Sequence, residues 1–276
     1  MTFRYARAYT GPLRAVVFDW AGTLIDFGCR APAAVFQAIF AEAGVPVTEA
    51  EARAPMGLPK RDHIAAVGAA PRVAAAWRAA HGRPFGEADV DALYDVFLPR
   101  QIDTVGQYAD LIPGVAAAVA AARARGLLIG STTGYTRDIM DICLARAAEQ
   151  GLTVDALACA GDLPRGRPGP YLLWRVLTEL AVYPPESVVK VGDTPADVEE
   201  GLNAGCWVVA VAACGNETGL SEADLAALPE AERAARIERA RGVLARAGAH
   251  VVIDSTADLP AILDDLSARF ARGQRP

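Results

Sequence analysis

The chain has 276 residues, 53% of them apolar and 22% charged, with a formal net charge of −6. This is the make-up of a soluble, intracellular globular protein with a real core, and its dispersed Lys and Arg argue against a nucleic-acid or anionic-membrane surface. Five cysteines (Cys29, Cys143, Cys159, Cys206, Cys214) form no C-x-x-C pair and read as reduced thiols of a cytoplasmic protein. Met1–Pro12 lacks the apolar run of a signal peptide, and no stretch has the length and apolarity of a membrane span.

The first element is a buried strand, Val16–Phe18, broken abruptly at Asp19 with Gly22-Thr23 close behind. In an open α/β sheet the ligand site lies just past the carboxyl ends of the strands, so Asp19 stands at a mouth. A turn-capping Asp is the plain alternative, and residues further along weigh against it. Val35, Phe36, Ile39 and Phe40 then recur at helical spacing until Gly44-Val45-Pro46. Thr48-Glu49-Ala50-Glu51 has the form of a capping box. Pro55–Pro59 reads as a turn, Lys60–Ile64 opens a short helix, and Val73–His81 and Glu87–Arg100 are helical. With no strand pattern from Phe27 to about Val105, this region reads as an all-helical insertion.

From Pro113 the rhythm becomes alternating. Helices are predicted at 113–125, 137–150, 169–181 and 196–204, and strands at 127–129, 156–159, 188–191 and 207–211. A charged helix at 229–247, a strand at 250–253 and a helix from about Thr256 close the chain. This implies an α/β fold: a doubly wound, Rossmann-like parallel sheet (1–26 and 106–276) with a helical cap domain (27–105) inserted in it.

Three strand ends on one sheet edge offer polar groups: Asp19, Ser131-Thr132-Thr133, and Asp193 with Asp197; Arg167 adds a cation. Facing carboxylates repel unless a cation sits between them, and this oxygen-rich set suits Mg²⁺. Hydroxyls, backbone N–H groups and a guanidinium suit a phosphoryl group.

Asp19 with Gly22-Thr23, the Ser131–Thr133 strand end, Arg167, and Val191-Gly192-Asp193-Thr194 with Asp197 resemble the haloacid dehalogenase superfamily of phosphoryl-transfer enzymes. The resemblance implies that Asp19 is the nucleophile and is carried through an aspartyl phosphate. It also implies that Asp19, the Ala21 carbonyl and Asp193 hold Mg²⁺, with Asp197 behind them. Phosphatases of this superfamily usually carry a second Asp two residues after the nucleophile to protonate the leaving oxygen. Here that position is Ala21, whose methyl group donates no proton.

Met56-Gly57-Leu58-Pro59-Lys60-Arg61-Asp62-His63, Phe18–Thr23 and Gly130–Arg137 together resemble the phosphonoacetaldehyde hydrolase family. In that family a cap lysine forms a Schiff base with the substrate aldehyde; Lys60 matches it. The resemblance also implies an Mg²⁺-dependent homodimer that splits the P–C bond to acetaldehyde and phosphate. The chemistry is coherent without the family. P–C cleavage leaves a carbanion, a protonated imine is its electron sink, and no acid is then needed at residue 21. Burial under the cap would keep Lys60 neutral for attack, and His63, at i+3 on the same helical face, is placed to shuttle protons.

Met56, Thr133, Tyr135 and Arg167 are candidate substrate contacts. Cys29, near the hinge, could approach the site, though packing is the favoured reading; Cys143 and Cys206, in apolar segments, read as packing residues, and His81 and His250 as surface and strand-edge residues. The cap's Ala-rich helices, with Trp77, Phe85 and Phe97, are candidates for a dimer surface. A phosphate-ester phosphatase or phosphomutase of the same superfamily is the alternative enzyme, and a non-catalytic binding relative the alternative of another class.

Overall fold

The computed structural model describes Tyr9 and residues 11–276. Most of Met1–Pro12, where no signal peptide was read, lies outside the described residues. Six parallel strands, β1 (Ala15–Phe18), β2 (Leu128–Thr133), β3 (Ala156–Cys159), β4 (Val188–Gly192), β5 (Trp207–Val211) and β6 (Val251–Ile253), form one sheet in the order β3-β2-β1-β4-β5-β6. The order reverses at β1, so the crevice beyond its carboxyl end is the topological switch point where ligands of such sheets bind.

Side-chain alternation along β1 divides the core. Val16 and Phe18 pack with residues of α6 (Val115–Ala124), α7 (Arg137–Glu149) and α12 (Leu259–Ala271) on one face. Ala15 and Val17 meet α8 (Tyr171–Glu179) on the other, while α9 (Pro195–Ala204) and α11 (Glu230–Arg246) cover β4 to β6. This is the doubly wound α/β arrangement expected.

Between β1 and β2 the chain forms α1 (Arg30–Glu42), α2 (Glu49–Arg53), α3 (Lys60–Ala69), α4 (Pro71–His81) and α5 (Glu87–Val105). The capping box at the start of α2 is formed, Thr48 and Glu51 each satisfying the other's backbone N–H. Ile25 and Leu111, on either side of the helical insert, pair in an isolated antiparallel bridge. One apolar cluster runs unbroken from Val16 and Phe18 into Phe36, Phe40 and Phe97 of the insert, so the helices are docked on the sheet's upper edge. Arg53 reinforces this, donating to the carbonyls of Gly28 at 2.8 Å and Gly219 at 2.9 Å.

Several expectations change. β2 does not stop at Ile129 but continues through Thr133, because Gly130–Thr133 pair with Ala156–Cys159. The hydroxyls of Thr132 and Thr133 find partners inside, and the buried Ser131 hydroxyl has none. α5 runs through Pro99 to Val105, since Gln101 and Val105 are buried against neighbouring helices and outweigh the missing N–H. A short helix, α10 (Glu222–Ala227), capped by Ser221, was not foreseen. Trp77 and Phe97 are 3% and 0% exposed, so these two fill the insert's own core, and the half-buried Phe85 packs edge-on to Trp77 at 4.8 Å.

Candidate active site

Asp19 follows directly on β1, its N–H bonded to the Val191 carbonyl of β4 at 2.9 Å. Asp193 follows directly on β4; its carboxylate accepts from the Asn216 N–H at 2.7 Å and from the Thr23 hydroxyl at 3.3 Å. Gly22 turns the chain with φ +81°, and a Cβ there would meet Asp193 Oδ2 at 2.1 Å, so only glycine lets the two strand ends approach. Asp197, in the first turn of α9, closes a capping box with Thr194. Ligand atoms of Asp19, Asp193 and Asp197 lie within 4.8 Å of one another.

Burial pushes the Asp19 carboxyl above its usual value, and Asp197 adds to that against the pull of Arg167. Asp193 is pushed up further, by burial and then by Asp19 and Asp197. Burial also acts on Asp197, but Arg167 and Lys190 outweigh it and hold its carboxyl below the usual range. Asp19, Asp193, Asp197 and Glu200 carry four negative charges against two positive ones on Arg167 and Lys190. The surplus equals the charge of one divalent cation, and the donors are hard oxygens, so the residues present fit a bound divalent metal.

Arg167 Nη1 donates to Asp19 Oδ1 at 2.7 Å and to Asp197 at 2.8 Å. The remaining expected groups, His63 apart, converge on the same point. A cavity of about 20 Å³, room for about one water, is lined by Asp19, Ala21, Met56, Lys60, Thr133, Tyr135, Arg167 and Asp193, among others. Thr133 accepts the Tyr135 N–H at 3.0 Å, which fixes the turn after β2.

The insert supplies the roof. Gly57 approaches the core so closely, with φ +91°, that a Cβ would lie 2.3 Å from Thr194 Oγ1. Lys60 opens α3 and is 5% exposed, its Nζ 5.1 Å from the Tyr135 ring centre and 5.7 Å from that of Phe36. Burial lowers its pKa below the ordinary 10.5 despite the nearby carboxylates.

His63 lies one turn on, stacked on Phe36 at 3.7 Å, and does not line the cavity. Its Nε2 is 2.8 Å from the Ala52 carbonyl, which can only accept, so Nε2 carries the proton and the buried Nδ1 has no partner. Burial, and then Lys60, holds its pKa well below the usual value.

Cys29, read as a packing residue, lines the cavity, and burial pushes its thiol well up. Cys143 and Cys206 are buried as expected. His81 is exposed, and His250 accepts the Val208 N–H at its Nδ1; neither lines the cavity. Sequence reasoning passed over Lys190 and Glu200, which lie beneath the site. The available signal was a lysine inside the apolar run Val188-Val189-Lys190-Val191.

The haloacid dehalogenase-like hydrolase model matches residues 13–205. A phosphonoacetaldehyde hydrolase of Paraburkholderia phytofirmans is 49% identical over 264 residues, 96% of this chain and 99% of the relative. The chain belongs to the phosphonoacetaldehyde hydrolase family of the haloacid dehalogenase superfamily. A second phosphonoacetaldehyde hydrolase, from Paraburkholderia xenovorans, is 48% identical over the same shares of both chains. The crystal structure of a phosphonoacetaldehyde hydrolase like protein from Oleispira antarctica superposes with a TM-score of 0.97 at 41% identity, covering 100% of both chains. The family membership makes this chain an enzyme. Among the described residues, no helix is long and apolar enough to cross a membrane.

Proposed function

We propose that this chain hydrolyses phosphonoacetaldehyde to acetaldehyde and phosphate. The observation that carries the reading is the convergence of a buried cap amine, Lys60, with the Asp19 carboxylate in one small cavity where residue 21 is an alanine. Residues 27–105 act as the cap, over a core of 1–26 and 106–276. Asp19, the Ala21 carbonyl and Asp193 would hold Mg²⁺, which when bound offsets the surplus negative charge and eases the approach of an anionic phosphonate.

Lys60, in the neutral form that burial favours, attacks the aldehyde carbon, and loss of water leaves a protonated imine. An Asp19 carboxylate oxygen then attacks phosphorus. As the P–O bond forms the P–C bond breaks, and its electron pair flows into the imine to give an enamine. The enamine takes a proton on carbon, water cleaves the resulting imine to acetaldehyde and free Lys60, and water hydrolyses the aspartyl phosphate. One water is consumed overall. Arg167 orients Asp19, and the Thr133 and Tyr135 turn, with Met56, shapes the pocket. In this reading His63 exchanges protons through Nδ1, the ring atom left open.

The cavity is too small for the substrate as it stands, so the cap opens to admit it. An oxygen leaving group would need an acid at residue 21, which disfavours the phosphatase and phosphomutase alternatives. The free, buried cysteines support a reducing, cytoplasmic setting. The homodimer that the family resemblance implies would not use Trp77 or Phe97, which are buried; size exclusion with light scattering reads it.

The test is reductive trapping. Enzyme, phosphonoacetaldehyde and borohydride should leave a covalent mass on the peptide carrying Lys60. Labelling of no lysine, or of another one, overturns the Schiff-base mechanism.

A further inference from the structure

Beneath the reacting groups lies a buried polar network that the reaction above does not use. Glu200, on α9, and Lys190, on β4, are both 0% exposed and do not themselves line the cavity. Glu200 Oε2 accepts from Arg167 Nε at 2.9 Å, from the Thr132 hydroxyl at 2.8 Å and from Lys190 Nζ at 3.0 Å. Lys190 Nζ completes its donors at Thr132 Oγ1, 2.9 Å away, and at Asp197, 3.1 Å away.

A guanidinium has five N–H groups in a fixed plane. In Arg167 each has a partner: Nε on Glu200, Nη1 on Asp19 and Asp197, Nη2 on the carbonyl and hydroxyl of Thr132. Two of those anchors set the plane from behind, and the third edge faces the nucleophile. Without Glu200 the guanidinium could rotate about its long side chain and still form an ion pair with Asp19, but at another angle. Burying a carboxylate and an ammonium is costly, and an apolar pair of similar size would serve stability as well. Their retention here goes with orientation.

We propose that Glu200, with Lys190 as its counter-ion, is a positioning residue that fixes the guanidinium plane of Arg167 and thereby aims Asp19 at phosphorus. The proposal rests on the assignment of Asp19 as nucleophile.

The experiment compares kcat and KM for the full-length enzyme, Glu200→Gln, and the charge-neutral pair Lys190→Met with Glu200→Leu, each also in an Arg167→Lys background. Lysine has no planar fork to be oriented, so the network loses its purpose there. In the wild-type background kcat should fall about 10- to 100-fold, the scale of a misplacement near 1 Å, with KM within about 3-fold. In the Arg167→Lys background the same changes should cost less than about 3-fold in kcat. A folded apolar pair with the wild-type kcat would overturn the proposal, and so would equal losses in both backgrounds. Failure of both variants to fold would make the network a stability element and overturn it too. If the wild type splits a phosphate ester and not the phosphonate, the reaction assigned above fails. The comparison is then read on that ester.

Discussion

Around Asp19 the core gathers Asp193, Asp197 and Glu200 against Arg167 and Lys190, all buried and held by ion pairs or short hydrogen bonds. The cap offers that cavity one ionisable amine, Lys60, set between the rings of Phe36 and Tyr135. The core thus sets four carboxylates against two cations, so that Asp19 and Asp193, pushed up by burial, call for a further cation if both are to be ionised. In the cap, burial disfavours the charge on Lys60 despite the nearby carboxylates. The contrast suggests a division of labour, in which the core performs phosphoryl transfer and the cap decides which bond to phosphorus is broken.

The division is broken most severely at Asp19. Asp19→Asn should lower turnover of every substrate by about 10⁴-fold or more, as removal of a nucleophile does. The fold should survive, because an amide removes a buried charge and its repulsion with neighbouring carboxylates, the two causes that raise the Asp19 and Asp193 pKa values. Circular dichroism and steady-state kinetics check both halves. Lys60→Arg should be nearly as damaging to P–C cleavage, about 10³-fold, since a guanidinium stays protonated and forms no imine. It should leave inhibition by phosphate within a few-fold of wild type, because the core is untouched. Loss of phosphate binding in Lys60→Arg would contradict the division.

The metal sharpens the same contrast. Asp193→Ala should weaken Mg²⁺ binding and lower activity together, by roughly 100-fold, the scale of several kcal/mol of lost charge stabilisation. Chelation that left the wild-type rate unchanged would remove the metal from the mechanism. Stability gives a second readout. Asp19 and Asp193 have folded pKa values raised above 3.8. Without metal, the stability they contribute is full below 3.8 and is lost as pH rises through the raised values. Mg²⁺ binds the ionised form, so its stabilisation should be larger at alkaline than at acidic pH. It should reach about 2.7 kcal/mol at a hundredfold excess over Kd. A Tm shift independent of pH would show the cation elsewhere.

The parts of this design that were legible in sequence are those where chemistry interrupts a pattern. Asp19 and Asp193 end apolar runs, and Lys60 follows a Pro-Gly turn at the head of a helix. The parallel doubly wound sheet followed from the spacing of alternating elements. What stayed hidden depends on partners distant in the chain. Ser131–Thr133 looked like a turn because the sequence does not show Arg167 and Lys190 arriving at the Thr132 hydroxyl. The helix read to Arg100 runs on to Val105 because the packing that carries α5 further comes from other helices. Trp77 and Phe97 looked like a partner's surface because the small Ala-rich cap hides how much aromatic bulk its interior needs. Cys29 sits in the cavity through the left-handed turn at φ 48° that leads into α1, which no periodicity announces.

The smallest effect is expected at Ala21, and it tests the division most directly. Ala21 lines the cavity and is 7% exposed, so an aspartate there would stand near both Asp19 and Lys60. As a proton donor it assists an oxygen leaving group, and Ala21→Asp should raise slow phosphate-ester hydrolysis by about 10-fold, below the usual range for a well-placed acid because the cavity is tight. A carbanion departing into an imine gains nothing from it. The added negative charge instead favours protonated Lys60, so P–C cleavage should fall a few-fold and the acid limb of its pH profile should move up. In the Lys60→Arg background, Ala21→Asp should restore no P–C cleavage at all. Restoration would show that an acid can replace the imine, and that the cap amine is not what selects the bond.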